Sequence, residues 1–119
     1  MKRVACLAAV TMLGVGLAAV SNEAQQARHR IRPLALTDNL HVLTSDPAEQ
    51  GMRTGGNTAV FLTSDGVVLV DTKYQGYGPD ILAEVRKITD KPVTTIINTH
   101  THYDHSGANP EFPDTVNFV

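Results

Sequence analysis

The chain has 119 residues, 42% of them hydrophobic and 18% charged, with ten basic and twelve acidic side chains. That length bounds it to one domain at most, and the composition is ordinary for a globular chain without repeats or low-complexity tracts. A formal net charge of -2 leaves no electrostatic footprint for nucleic acid.

In chain order, Lys2 and Arg3 precede an apolar run over residues 4–20, which gives way to polar Ser21, Asn22 and Glu23. This is the layout of a secretory signal peptide, with small Ala19 and Ser21 placed for a cut, so residues 1–21 are assigned as an export signal. An uncleaved membrane anchor is the alternative, although the run is short for a span and contains Gly14 and Gly16. Either way the body of the protein is expected outside the cytoplasm, periplasmic or secreted. Cys6 lies at the start of the apolar run, so cleavage leaves no cysteine for a disulfide. The remainder carries 8 basic against 12 acidic residues, since residues 1–21 hold two of the basic and none of the acidic ones. Residues 22–37, with Arg28, His29, Arg30 and Arg32, are expected to be a solvated linker.

From Leu40 onward the chain reads as sheet. His41, Val42 and Leu43 form a short β-type segment, in which His41 is expected on the strand surface because no second ligand accompanies it. Residues 45–56 contain Pro47, Gly51, Gly55 and Gly56 and are predicted to be a loop. Residues 58–64 and 67–70 are β-rich runs joined at Asp65-Gly66, a hairpin signal in which Gly66 is expected to supply the positive φ of a tight turn. The second run is almost wholly apolar and is expected to be buried on both faces. It ends in Asp71-Thr72, where the carboxylate is either a solvated strand end or a group held near something positive.

Residues 79–89 are predicted to be an amphipathic helix. Ile81, Leu82, Val85 and Ile88 make one apolar stripe, Pro79 suits the first helical position, and Asp80 complements the amino-terminal dipole. Asp90, Lys91 and Pro92 stop it and turn the chain into a short buried strand at Val93, Ile96 and Ile97. That strand breaks into Asn-Thr-His-Thr-His-Tyr-Asp-His-Ser-Gly, which sets three histidines and an aspartate within residues 100–105. Histidine and carboxylate are the usual nitrogen and oxygen ligands of zinc, and alternate residues of an extended segment point the same way. His100 and His102 can therefore grip one ion, while Asp104 and His105 face a neighbouring position. Residues 106–110 read as the tight exit from the loop, a short helical turn is expected to follow, and residues 115–119 look like the start of a further strand.

The spacing His-x-His-x-Asp-His after such a strand resembles the signature of the metallo-β-lactamase superfamily. The resemblance implies that His100 and His102 bind one metal and Asp104 and His105 a second, with zinc as the expected ion and iron as an alternative. It implies that Asp104 is catalytic, orienting or deprotonating the attacking water. It favours the second reading of Asp71, which is then expected to accept a hydrogen bond from a metal-loop group without touching the metal. The implied fold is α/β, the first half of an αββα sandwich, and the resemblance covers residues 38–119. A complete domain of that kind needs about twice as much chain, so a third histidine, a bridging aspartate and a final histidine are expected beyond Val119. The 119 residues alone are accordingly expected to bind metal weakly, to hydrolyse little and to leave apolar strand faces uncovered.

The function implied is hydrolysis of a small ester, lactone or β-lactam-like small molecule by zinc-activated water. A second reading is an amidohydrolase barrel, whose strands also end in His-x-His; the adjacent Asp104-His105 and the Asp65-Gly66 hairpin argue against it. A third is a non-catalytic truncated metal-binding fragment. The loop over residues 48–56 is a candidate for overhanging the site and selecting substrate.

Overall fold

The structure, a computed structural model, describes residues 31–46 and 54–119. The expected export signal, Cys6, the basic residues Arg28, His29 and Arg30, and residues 47–53 lie outside the described residues. Six strands form one sheet in sequence order. Four of them, β1 (Ile31–Ala35), β2 (Leu40–Ser45), β3 (Thr58–Leu62) and β4 (Val67–Val70), run as an antiparallel meander. Helix α1 (Gly78–Ile88) then crosses over, and β5 (Val93–Ile97) and β6 (Asn117–Phe118) join in parallel. Among the described residues no helix is long and apolar enough to cross a membrane.

The sheet begins earlier than its apolar pattern indicates. Ile31–Ala35, expected in a linker, pairs with β2 from Ile31 opposite Ser45 to Ala35 opposite His41. Pro33 masks this strand in the sequence but is tolerated because β1 is an edge with one neighbour. Arg32 is drawn onto that edge, its guanidinium 3.1 Å from the buried Asp46 carboxylate.

The hairpin falls at Asp65-Gly66, with Leu62 opposite Val67, but not through the expected backbone conformation. Gly66 does not take a positive φ. The turn is closed by Thr63, whose hydroxyl donates to the Gly66 carbonyl at 2.8 Å and accepts from the amides of Asp65 and Gly66. Glycine is required at position 66 for space, since a Cβ there would sit 2.4 Å from Cγ2 of Thr94 and 2.9 Å from the Pro92 carbonyl oxygen.

The two faces of the sheet differ. Leu43, Val60, Leu69, Val67 and Ile96 point to one side and pack with Ile81 and Val85 of α1 into a single core. The cross-strand register puts Leu34, Leu40, Val42, Ala59, Phe61, Val68, Val70 and Ile97 on the other. Of these, Leu34 is 54% exposed, Phe61 41% and Ile97 39%, and the rest are half-buried. β4 is therefore buried on one face only, contrary to the reading of its apolar run, because α1 covers a single side.

Helix α1 carries Asp80 in its first turn and Arg86 and Lys87 in its last, signs that complement the helix dipole. Tyr77 at the N-cap offers no side-chain cap. The acceptor comes instead from a 3-10 turn (Asn109–Glu111) far along the chain: the Glu111 carboxylate accepts from the amides of Gly76 at 2.5 Å and Gly78 at 2.8 Å. Charge-assisted bonds at a helix start favour the fold.

Glu111→Ala is expected to destabilise the chain by about 1–2 kcal/mol, the range for losing a cap, read as a shift in the urea unfolding midpoint. The 119-residue chain is also expected to bind an apolar fluorescent probe through its uncovered sheet face. Phe61→Lys should reduce that fluorescence while leaving the far-ultraviolet circular dichroism unchanged.

Candidate metal centre

Parallel pairing places Val70 beside Ile97, so the carboxyl ends of β4 and β5 open side by side. In sheets of this kind ligands gather outside the carboxyl ends of parallel strands. Asp71 leaves β4 at that edge, and Asn98, Thr99 and His100 leave β5. His100 and His102 lie on irregular chain, whereas Asp104 and His105 sit on a single helical turn, α2 (Tyr103–Ser106). The His102 carbonyl starts that turn by accepting from the amides of His105 and Ser106 and from the Ser106 hydroxyl.

The three histidine rings come together. His100 and His102 have ring centroids 4.7 Å apart, and His100 and His105 have centroids 4.2 Å apart. His105 Nε2 lies 3.4 Å from Oδ2 of Asp104. His41 belongs to a different part of the sheet: it is half-buried on β2 opposite Val60, and its Nε2 is buried without a hydrogen-bond partner among the described residues.

Asp71 anchors the cluster from below. Its carboxylate is 4% exposed and accepts from the Thr99 amide, from the Thr99 hydroxyl and from His105 Nδ1, each at 2.8 Å. Burial acts to raise its pKa, but the bonds from His105 and Thr99 outweigh that and hold the carboxyl below its ordinary value of 3.8. Asp71 also has φ 63°, and Lys73 φ 64°, so the chain makes a strained turn as it leaves β4.

Further contacts fix the loop behind its donors. The His105 carbonyl accepts from the Thr72 amide at 2.7 Å and from the Asn98 side chain at 3.2 Å. Asn109 links Thr72 to Asn98, accepting from the Thr72 hydroxyl and donating to the Asn98 side chain, both at 2.7 Å. On the other flank the Gly56 amide donates to the Asp104 carbonyl at 2.9 Å. Lys73, fully buried, donates through Nζ to the Gly56 carbonyl and the Ser45 hydroxyl. The described end of the loop, residues 54–56, therefore lies against the cluster, and residues 48–53 of the expected overhang lie outside the described residues.

Thr99, Asn98, Asn109 and Lys73 were not legible as site residues, and Gly56 was legible only as the end of the candidate loop. An Asn or Thr beside a histidine is too common to stand out, and nothing local to Lys73 marks it as buried.

The donor set fits a divalent cation. With Nδ1–H of His105 donated to the ionised Asp71, Nε2 of the neutral ring faces the Asp104 carboxylate. Two acceptors so placed suit a cation between them. Zinc bonds of 2.0–2.2 Å in tetrahedral array separate neighbouring donors by about 3.4 Å, which matches this pair. Among the described residues no group of three His, Cys, Asp or Glu side chains is placed to hold a single ion.

A mixed α/β sheet with a histidine and aspartate cluster at the carboxyl ends of its parallel strands defines the class, and the comparisons define the family. The profile of the metallo-beta-lactamase superfamily matches residues 52–119, more than half of the chain, and the chain belongs to that superfamily. Its fold is similar to that of a flavoprotein from Thermotoga maritima, with TM-score 0.59 and 23% identity over 78% of this chain and 27% of that one. A beta-lactamase from Chitinophaga pinensis gives TM-score 0.56 and 22% identity over 71% of this chain and 29% of the other. A metallo-beta-lactamase from Pontibacter korlensis gives 0.59 and 20%, over 69% and 39% respectively. In sequence the chain is 45% identical over 42 residues to a linear primary-alkylsulfatase from Pseudomonas sp. (strain ATCC 19151), which is 34% of this chain and 8% of the relative. The chain thus spans well under half the length of each of these proteins.

The lowered pKa of Asp71 has a definite sign. Its stabilisation is complete above the ordinary carboxyl value of 3.8 and is lost as pH falls through the lower value of the folded state. Asp71→Asn tolerates the left-handed backbone and is expected to cost about 1–3 kcal/mol at neutral pH. The gap from wild type should close on acidification below the carboxyl range, as measured by urea unfolding across pH.

Proposed function

We propose that this protein is a metal-dependent hydrolase that acts on a small ester, lactone or β-lactam-like substrate. The observation that carries the proposal is the gathering of candidate ligands at the sheet edge, His105 Nε2 facing Asp104 with His100 and His102 alongside. His100 and His102 hold one ion, zinc in the lead reading and iron in the alternative, and Asp104 and His105 hold a second. When bound, such a pair lowers the pKa of water, polarises the substrate oxygen and neutralises the charge that develops on it. Catalytic zinc commonly has three protein ligands, so each pair leaves room for donors from outside the described residues.

The roles of the chain's own groups follow from their placement. Asp104, half-buried at the mouth, orients the attacking water and accepts its proton. Asp71 sits beneath and keeps His105 turned so that Nε2 faces outward. Gly56 and Lys73 hold the end of the neighbouring loop against the cluster, and the loop over residues 48–56 is proposed to influence substrate choice. Lys2, Arg3 and the apolar residues 4–20 support export, and an exported enzyme meets small extracellular esters and lactones before cytosolic thioesters. Within the ester class, the local identity to a linear primary-alkylsulfatase favours the sulfate ester of a primary alcohol.

The test uses the product of the whole reading frame. Metal analysis should return stoichiometric zinc or iron, and a panel of a primary alkyl sulfate, a carboxylic ester, a lactone and a β-lactam should show turnover of at least one. Asp104→Ala is expected to lower that turnover by about a hundredfold or more, with metal retained through His100 and His102. Unchanged hydrolysis in this variant, or a wild-type protein without stoichiometric metal, would overturn the proposal.

A further inference from the structure

The Thr99 hydroxyl lies between two groups whose chemistry leaves it no choice of role. On one side, 2.8 Å away, is Oδ2 of Asp71, and a carboxylate only accepts hydrogen bonds. The single hydroxyl proton of Thr99 therefore goes to Asp71. On the other side, at 2.9 Å, is Nδ1 of His100. With its proton spent, Thr99 can only accept there, so the ring must donate from Nδ1. In the neutral ring Nε2 of His100 is then unprotonated.

From this geometry we infer that Thr99 is a positioning residue, which relays the Asp71 carboxylate to His100 and holds that ring as the Nδ1–H tautomer with Nε2 presented as a metal donor. A single buried carboxylate thereby sets the tautomers of two rings at once: His105 directly, through its own 2.8 Å bond, and His100 through one intervening hydroxyl. The arrangement matters because the neutral imidazole ring in water favours the proton on Nε2, the atom His100 needs bare. The Thr99 backbone amide also binds Asp71, so the residue is fixed at two points and its hydroxyl cannot swing away without breaking the pair. Groups that orient metal ligands in this way commonly contribute about 10–100-fold to metal affinity.

The inference rests on the metal-binding reading for its purpose but not for its test. Metal-free protein from the whole reading frame, carrying nitrogen-labelled histidine, would be studied by two-bond proton–nitrogen correlation, with His100 assigned by its absence in His100→Gln. In the wild type His100 is expected as Nδ1–H. In Thr99→Val, which keeps the branched shape and loses the hydroxyl, its resonances should move to the Nε2–H pattern while those of His105 stay in place. Thr99→Ser should restore the wild-type pattern. Zinc affinity, measured by chelator competition, should fall about tenfold or more in Thr99→Val and recover in Thr99→Ser.

A wild-type His100 carrying its proton on Nε2 overturns the inference, and so does a Thr99→Val spectrum identical to wild type. Should Thr99→Val fail to fold, the wild-type and Thr99→Ser spectra still decide. Correct tautomers in a protein that takes up no metal would sink the proposed function and leave the relay standing.

Discussion

The arrangement depends on a buried carboxylate meeting three donors at the end of an apolar strand. Asp71 must remain charged where water is nearly excluded, and it does so only because Thr99 and His105 reach it from the neighbouring strand end. That requirement adds three bonds at the strand ends to the ladder that joins β4 to β5. It also accounts for the left-handed turn at Asp71, whose conformational cost is offset by three charge-assisted bonds. The crossover helix and its distant Glu111 cap serve the same end, since Glu111 follows the His100–His105 segment and fastens it to the start of α1.

The centre combines an immobile base with an open mouth. Asp71, Thr72 and Lys73 are buried, while His100 and His102 are exposed and Asp104 and His105 half-exposed. Backbone and side-chain bonds from Thr72, Asn98, Asn109 and Gly56 all end on the loop's carbonyls or on one another, and so leave the donor atoms free. Such a division suits a site that must present fixed ligands to something arriving from solvent.

Much of this was readable in the chain. The β-rich runs of β2 and β3 and the stripe of Ile81 and Val85 each reflect a local rule, and each falls where that rule puts it. The expected hydrogen-bonding position of Asp71 was readable only through family resemblance. What escaped was nonlocal. β1 was hidden by Pro33, which an edge strand tolerates and a central one would not. The half-exposure of Val68 and Val70 depends on which side α1 chose, which the apolar run of β4 does not encode. Gly66 was read as a conformational glycine and proved a steric one, because the atoms that crowd it come from Thr94 on β5 and from Pro92 just before that strand. Thr99 was invisible for a similar reason: its importance comes from Asp71, far away in the chain.

Gly55 and Gly56 bear on how this architecture could be altered. A methyl group on Gly56 would fall 2.6 Å from the His105 ring, and one on Gly55, at φ 75°, would fall 2.9 Å from the Asp104 carbonyl oxygen. The two positions act as a sill under the histidine cluster, with no room for a side chain. Anyone building a library around the proposed centre would therefore leave this pair alone, since variation there would displace His105 and the Asp104 backbone.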